Sequence, residues 1–346
     1  MTAAAAHTFP IVEVTGTAYE LGYQHGAQAA NLIQRYLLLI ERVTNMSRDT
    51  LCRNALVFLP LIEQLNPAYL DEVRGLAAGA GLTFEEALLC QARAEAAYAR
   101  PEGCSAFALT GEATADHQTL AGQNQDLPPE YADVAILLHV KPTDGRPRAM
   151  MFTFAGQLGF VGMNHTGMCL FANALYDYKW QLGLPKYPMK RTLLEQTTVE
   201  AGVDLLRRHR LCSANNIVLV DGQGGLADIE VRPESVAVFT DDHPHRRVHT
   251  NHYVTPEFQS LETNSLADSC PRLDRMRELV QENWGTITVD TMKRILSDHK
   301  GDPGAICRHG EAGMHSISGY IAQPAQGLLH VRRGHGCLGT WQTYVV

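Results

Sequence analysis

The sequence lacks the features that mark membrane-spanning, secreted and nucleic-acid-binding proteins. No apolar run approaches the roughly 18–20 residues that cross a bilayer, so we expect no membrane partner. The first residues carry neither a basic segment nor a long apolar segment, and we expect no secretory signal. Basic residues number 29 and acidic residues 37, for a net charge of −8, which does not favour nucleic acid as a partner.

Closely spaced cysteine pairs are also missing. The eight cysteines are scattered and form no CxxC pair, which is typical of reduced thiols and predicts a cytoplasmic location. The 346 residues, 45% of them hydrophobic, are enough to bury a sizeable core. No segment has the composition of a long linker, so the sequence predicts one folded domain.

The order of the predicted elements indicates an α+β fold, because helices and runs of strands are segregated rather than alternating. Apolar residues at helical spacing predict helices over residues 17–43, 60–78, 83–98, 190–209, 270–283 and 289–297. Short apolar runs between turn residues predict strands over residues 105–109, 119–124, 134–140, 149–154, 160–164, 168–173, 216–220, 227–231, 235–239, 246–250, 316–322 and 327–332.

One glycine-rich stretch imitates a dinucleotide site. Residues 222–227 read GQGGLA, which fits GxGxxA after a predicted strand. A dinucleotide site needs a helix to follow, and here residues 227–231 have the pattern of another strand. Asp221-Gly222 is a hairpin signal, so we predict a turn and no cofactor.

Two clusters of histidine and cysteine have the residue types of zinc ligands. One contains His243, His245, His249 and His252, and the other contains Cys307, His309, His315, His335 and Cys337. Neither has paired ligand spacing or an HExxH motif, so the sequence predicts no metal. A GxSxG serine nucleophile is also absent.

Cys104 follows Gly103 at the start of a predicted strand, and this position has two interpretations. A buried strand cysteine is the simpler one, and spacing alone favours it. The alternative is a nucleophile. Residues 121–126 would return a neighbouring antiparallel strand beside Cys104, and residues 248–252 end another strand with a polar cluster.

Several short motifs, in order and at matching spacing, resemble the isopenicillin N acyltransferase family of N-terminal nucleophile (Ntn) cysteine hydrolases. The resemblance covers most of the chain. The matching segments are Gly16–Gly26, Gly103–Ser105, Gly122–Asp126, Gly162–Gly167, Asn173–Leu175 and His249–His252.

The resemblance implies an αββα sandwich of two mainly antiparallel sheets, made as an inactive precursor. Autocatalytic cleavage of the Gly103–Cys104 bond would leave residues 1–103 as a helical fragment and residues 104–346 as the catalytic fragment of one domain. Cys104 would then be the N-terminal nucleophile. Its α-amine, with a pKa of about 8, could serve as the base for acyl transfer through a thioester.

The resemblance also implies roles for four other residues. Asp126 would be the second catalytic residue, Asn251 the oxyanion donor, and Asn173 with Asn124 substrate contacts. In sequence terms Asn251 could instead close an exposed turn. Gln123 stands where related bile-salt and penicillin V hydrolases have arginine, so their substrate electrostatics need not carry over. Gln125 stands where the penicillin enzyme has an aromatic, which implies a more polar pocket.

The implied partners are a small acylated amine, acyl-coenzyme A and the cleaved N-terminal fragment, and a homo-oligomer is compatible with them. Hydrolysis and transfer to an amine both remain open. Two other classes also remain open: a zinc-dependent hydrolase using the cluster over residues 243–252, and a non-catalytic binding protein.

Overall fold

The computed structural model describes residues 8–97, 103–176, 181–263, 266–309 and 313–346. Within these ranges the helices are α1 (Ala18–Thr44), α2 (Arg48–Leu56), α3 (Leu59–Leu65), α4 (Pro67–Ala80), α5 (Phe84–Gln91), α6 (Arg93–Ala96), α7 (Lys186–Leu194), α8 (Val199–Arg208), α9 (Pro256–Gln259), α10 (Ser269–Glu282) and α11 (Val289–Ile295). None of these helices combines the length and apolar character needed to traverse a lipid bilayer.

The strands of the same ranges are β1 (Ile11–Gly16), β2 (Gly103–Leu109), β3 (Leu120–Leu127), β4 (Ala135–Pro142), β5 (Ala149–Phe154), β6 (Val161–Asn164), β7 (Cys169–Ala174), β8 (Asn215–Val220), β9 (Leu226–Val231), β10 (Val236–Phe239), β11 (Arg246–His249), β12 (His315–Gln323), β13 (Leu328–Arg333) and β14 (Trp341–Val345). Each strand predicted from the sequence has a counterpart among them. Two edge strands, β1 and β14, were not predicted.

Helix boundaries follow local capping chemistry. Thr17 caps α1, and its side chain and that of Glu20 form a reciprocal capping box, which confirms the predicted start. The single helix predicted over residues 60–78 is wrong, because it is two helices, α3 and α4. Pro67 occupies the first turn of α4, and the Asn66 side chain accepts a hydrogen bond from the Ala68 N–H at 3.1 Å. Tyr98, at the end of the third predicted helix, lies outside the described residues.

The strands form two sheets. One has the order β1-β4-β5-β6-β7-β8-β9-β10, and the other has the order β11-β2-β3-β12-β13-β14. The β1–β4 pair is parallel, and the remaining pairs within these orders are antiparallel. Residues 222–225 make the turn of the β8–β9 hairpin, which confirms the predicted turn.

The two sheets pack face to face, with helices on their outer faces. Tyr320 of β12 contacts Phe171 of β7 and Phe152 of β5 across the interior, at ring-centroid distances of 6.5 and 5.1 Å. Helix α1 packs on β1 and β4 of the larger sheet. A separate apolar cluster joins α10 and α11 to the smaller sheet, for example through Met276 and Phe107. This layering is the predicted αββα sandwich.

One hydrophobic core includes residues from both sides of the Gly103–Cys104 bond. Ile33 and Leu37 of α1 belong to the same buried cluster as Phe152 and Phe171. If the chain is cut at that bond, burial of this shared apolar surface would stabilise the association of the two fragments.

Candidate active site

Cys104 is the second residue of β2, an interior strand of the smaller sheet between β11 and β3. Antiparallel register places Gly103 opposite Asp126 and Cys104 opposite Gln125. The Cys104 side chain is 2% exposed. The sheet therefore fixes the cysteine beside two of the polar residues that the sequence had singled out.

The pairing of β11 with β2 brings Asn251 to Cys104 from the side opposite β3. His249, the last residue of β11, pairs with Ala106, so two further residues along the chain reach the level of Cys104. The Cys104 N–H donates to Asn251 Oδ1 at 3.0 Å. This contact lies at the nitrogen of the Gly103–Cys104 peptide bond.

Two donors establish the orientation of the Asn251 amide. Arg272 Nη2 also donates to Asn251 Oδ1, at 2.8 Å. Because a guanidinium and a peptide N–H can only donate, the atom between them must be the oxygen. Nδ2 then donates to the Ala174 carbonyl at 2.9 Å. The alternative of an exposed turn residue is wrong, since Asn251 is fully buried.

Arg272 is a site residue that the sequence analysis missed. Its Nη1 donates to the Cys104 carbonyl at 2.6 Å and to Ser105 Oγ at 2.9 Å. Burial lowers its pKa below the usual arginine range. The available signal was helical spacing, because Arg272 lies on the same stripe of α10 as the buried residues Met276 and Val280. An arginine on an apolar stripe indicates a buried, partnered charge.

Asp126 lies beside the glycine of the proposed cleavage bond. It is fully buried, its Oδ1 accepts from Ser316 Oγ at 2.7 Å, and its Oδ2 lies 3.7 Å from Arg308 Nε. Arg308 also pairs with Asp268. A Cβ on Gly103 would lie 3.1 Å from both Asp126 Cβ and Arg308 Nη1, which is closer than most Cβ contacts in proteins. Glycine at this position therefore leaves room for the side chains of Asp126 and Arg308.

A buried ion pair anchors the segment that carries Asn251. His249 Nε2 and Glu230 Oε1 are 3.0 Å apart, and Glu230 also accepts from the Val254 N–H at 2.5 Å. Burial alone would raise the pKa of Glu230, but its bond to His249 and the charge there hold that pKa below its usual range. Burial would lower the pKa of His249, but the carboxylates of Asp228 and Glu230 raise it.

Gln125 carries an uncommitted donor on the face of the sheet shared with Cys104. Gln123 Oε1 accepts from the Ala172 N–H at 2.7 Å, so its other side-chain atom is the nitrogen, which donates to Gln125 Oε1 at 2.9 Å. Gln125 Nε2 has no hydrogen-bond partner among the described residues. Strand alternation puts both glutamines with Tyr320 in the space between the sheets.

The two asparagines expected to contact substrate occupy different places. Asn173 has the same strand parity as Phe171, which faces the interior, and its Nδ2 donates to Asn216 Oδ1 at 2.6 Å. Its substrate contact stays a prediction. Asn124 faces the outer helical layer instead, and its side chain bonds Leu296 O, Ile306 O and Arg332. Its substrate contact also stays a prediction, and these contacts already commit its amide to the outer layer.

The histidine cluster over residues 243–252 does not form a metal site in the described part of the chain. His249 bonds Glu230, His252 bonds Ser269 Oγ at 2.8 Å, and His243 packs against Trp284. The group of potential metal ligands found in that part of the chain lies elsewhere. The zinc-hydrolase alternative therefore loses its proposed ligand set.

A sandwich of two sheets between helices, with a cysteine at the start of an interior strand and buried polar groups around it, is the fold of the Ntn hydrolases. A family profile described as acyl-coenzyme A:6-aminopenicillanic acid acyl-transferase matches residues 113–332. This is more than half of the chain, and the chain belongs to that family. The match contains Asp126, Asn173 and Asn251 and begins after Cys104.

Two curated proteins are similar over most of the chain. The acyl-coenzyme A:6-aminopenicillanic-acid-acyltransferase 40 kDa form of Emericella nidulans is 29% identical over 306 residues, which cover 86% of this chain and 84% of that protein. An uncharacterized protein of Archaeoglobus fulgidus is 22% identical, over 83% of this chain and 57% of that protein. The chain is thus an enzyme of an acyltransferase family.

Solved structures with some similarity include two variants of the conjugated bile acid hydrolase of Clostridium perfringens. Each is 13% identical and covers 70% of this chain and 97% of that one, with TM-scores of 0.46 and 0.47. The penicillin V acylase of Agrobacterium tumefaciens is 10% identical and covers 66% of this chain and 83% of that one, with a TM-score of 0.46.

Proposed function

We propose that the chain is a self-processing cysteine enzyme that cleaves the linear amide of a small acylated amine. Its Cys104 thiolate would form a thioester with the acyl group, which then passes to water or to an acceptor amine. The observation that carries this proposal is the convergence on one peptide bond. Asn251 contacts its nitrogen, Asp126 lies opposite Gly103, and Arg272 contacts the next carbonyl.

Self-cleavage would begin with attack of Cys104 Sγ on the Gly103 carbonyl carbon. The carbon–sulfur bond forms, the carbon–nitrogen bond breaks, and the nitrogen takes up the proton that the thiol loses. Water then hydrolyses the thioester to a Gly103 carboxylate and restores the thiol. Asn251 Oδ1, which already accepts from this nitrogen, would hold the new α-amine in place.

Turnover would repeat the same steps on a substrate amide. The α-amine of Cys104 would carry the proton between the thiol and the leaving amine of the substrate. Asp126 would orient the α-amine and favour its charged form. The amide nitrogen of Asn251 has two hydrogens, of which one bonds Ala174. The second would donate to the oxyanion of the tetrahedral intermediate.

Gln125→Leu tests the contribution of the interior to substrate choice. Because Gln125 Nε2 is a buried donor that faces the same space as Cys104, we expect it to bond a polar acyl group. Its loss should raise KM for polar acyl groups by about 3–10-fold, the usual worth of one hydrogen bond, and spare apolar ones. The measurement is KM across matched acyl chains.

The control for this variant is Gln342→Leu, on an exposed position of β14. It should leave KM unchanged for every acyl group. Equal KM changes for polar and apolar acyl groups in Gln125→Leu would rule out the proposed contact.

The proposal as a whole is tested with purified enzyme and a panel of N-acyl amines, with acyl-coenzyme A as a second class of acyl donor. Mass spectrometry should detect the acid and the amine from hydrolysis, or the transferred amide when an acceptor amine is added. A covalent acyl adduct of Cys104 should accumulate with slow substrates. Turnover of these amides without any adduct, and unchanged in Cys104→Ala, would contradict the thioester mechanism.

A further inference from the structure

Four potential metal ligands converge at a place remote in sequence from the proposed nucleophile. The ligand atoms of His299, Cys307, His309 and Cys337 all lie within 4.8 Å of one another. His299 Nε2 and His309 Nε2 are 2.8 Å apart, and Cys337 Sγ lies 3.4 Å from His309 Nε2. Two imidazoles and two thiols at this separation are a common zinc ligand set.

These ligands come from three separate stretches of chain, which is why their spacing gave no signal. His299 follows α11, Cys307 and His309 lie in the connection before β12, and Cys337 lies in the turn between β13 and β14. Gly336 permits the close approach of that turn, since a Cβ there would lie 2.4 Å from the Leu296 carbonyl oxygen.

A second observation is the polar support of the sulfur. The Gly336 N–H donates to Cys307 Sγ at 3.2 Å. Hydrogen bonds of this kind to first-sphere ligands are what orient and tune metal sites. Cys307 is buried, so this donor serves a sulfur that water does not reach.

We propose that His299, Cys307, His309 and Cys337 bind a single zinc ion in tetrahedral geometry. Zinc–nitrogen and zinc–sulfur bonds of about 2.0 and 2.3 Å imply ligand separations of about 3.3–3.8 Å, which small side-chain shifts would reach from the observed arrangement. Four protein ligands leave no open position for substrate, so the ion has a structural role. This proposal replaces the expectation, based on spacing alone, that the C-terminal cluster binds no metal.

The zinc ion would fix the position of Arg308. This residue lies between the ligands Cys307 and His309, and its guanidinium lies near Asp126 and pairs with Asp268. Coordination of both Cys307 and His309 by the ion would therefore restrain Arg308 beside the site around Cys104. The site and its test do not depend on the proposed function, because metal content is measured without any substrate.

The test uses the full-length protein, expressed with zinc supplied and purified under reducing conditions without chelator. Elemental analysis should find about one zinc per chain. Exchange with cobalt should give visible absorption of tetrahedral cobalt and thiolate-to-cobalt charge transfer. Cys337→Ser, at an exposed position that should tolerate the change, should retain less than about a tenth of the wild-type zinc after dialysis.

Cys270→Ser is the matched control, because Cys270 is also exposed and is not part of the cluster. It should retain the wild-type zinc content, and circular dichroism should show that both variants are folded. His309→Ala should lose the metal as Cys337→Ser does.

Three results would overturn the proposal. The first is wild-type protein that neither contains zinc nor binds zinc or cobalt after reduction. The second is zinc content that is equal in Cys337→Ser, His309→Ala and Cys270→Ser. The third is an intact-mass measurement showing that Cys307 and Cys337 form a disulfide in the native protein.

Discussion

Cys104→Ala is expected to remain a single uncleaved chain with no measurable amide turnover. The variant lacks the thiol that would attack both the Gly103 carbonyl and the substrate, so one change removes both reactions. Loss of a catalytic nucleophile lowers kcat by on the order of 10⁶-fold. The measurements are denaturing electrophoresis over time and product formation by mass spectrometry.

Cys90→Ala is the control for the loss of a buried thiol. Cys90 is fully buried in α5, and burial raises its pKa to about 12, so its thiol stays protonated at neutral pH. This variant should process and turn over substrate, although the small cavity will cost some stability. If Cys104→Ala is cleaved normally, or if Cys90→Ala also stops cleavage while folded, the assignment of Cys104 fails.

Asn251→Ala and Asn251→Asp are expected to lower kcat by about 10²–10³ with little change in KM. The lost interaction is the Nδ2 donor to an oxyanion, which forms in the transition state and not in the bound ground state. Both variants should also cleave themselves more slowly, because that step passes through the same kind of oxyanion. The two variants differ in whether the side chain at position 251 still accepts hydrogen bonds.

Asn251→Asp retains an acceptor for the Cys104 N–H and for Arg272, whereas Asn251→Ala leaves both buried donors without it. We therefore expect the alanine variant to lose roughly 2–4 kcal/mol of unfolding free energy and the aspartate variant less. Thermal midpoints and steady-state constants measured side by side separate stability from catalysis. Near-normal kcat in Asn251→Asp would show that Asn251 acts only as an acceptor, and near-normal kcat in both would remove it from the mechanism.

Elements set by local chemistry could be predicted from the sequence, and elements set by distant pairing could not. The start of α1 follows from Thr17 and Glu20, which are close in sequence and cap each other. The edge strand β1 exists because it pairs in parallel with β4, more than a hundred residues later, and β14 because it extends the sheet beyond β13. Pairing of this kind depends on tertiary context more than on propensity.

The polar environment of Cys104 shows the same division. The family resemblance supplied Cys104, Asp126 and Asn251, and the structure places Asn251 against Cys104 and Asp126 beside Gly103. Arg272 and Arg308 reach this region from separate segments. The helical spacing of Arg272 on α10 is a local signal, and Arg308 has none. The motif position of Asn124 says nothing about its side-chain partners, which belong to the outer helical layer.

The central claim, that Cys104 becomes the N-terminus of the working enzyme, is tested most directly by the covalent state of purified, active protein. Intact-mass measurement and N-terminal sequencing should find one fragment ending at Gly103 and a second beginning Cys104-Ser105-Ala106-Phe107, in equal amounts. Activity should rise in step with the second fragment as the precursor disappears. A fully active enzyme that remains one intact chain across the Gly103–Cys104 bond would contradict the account.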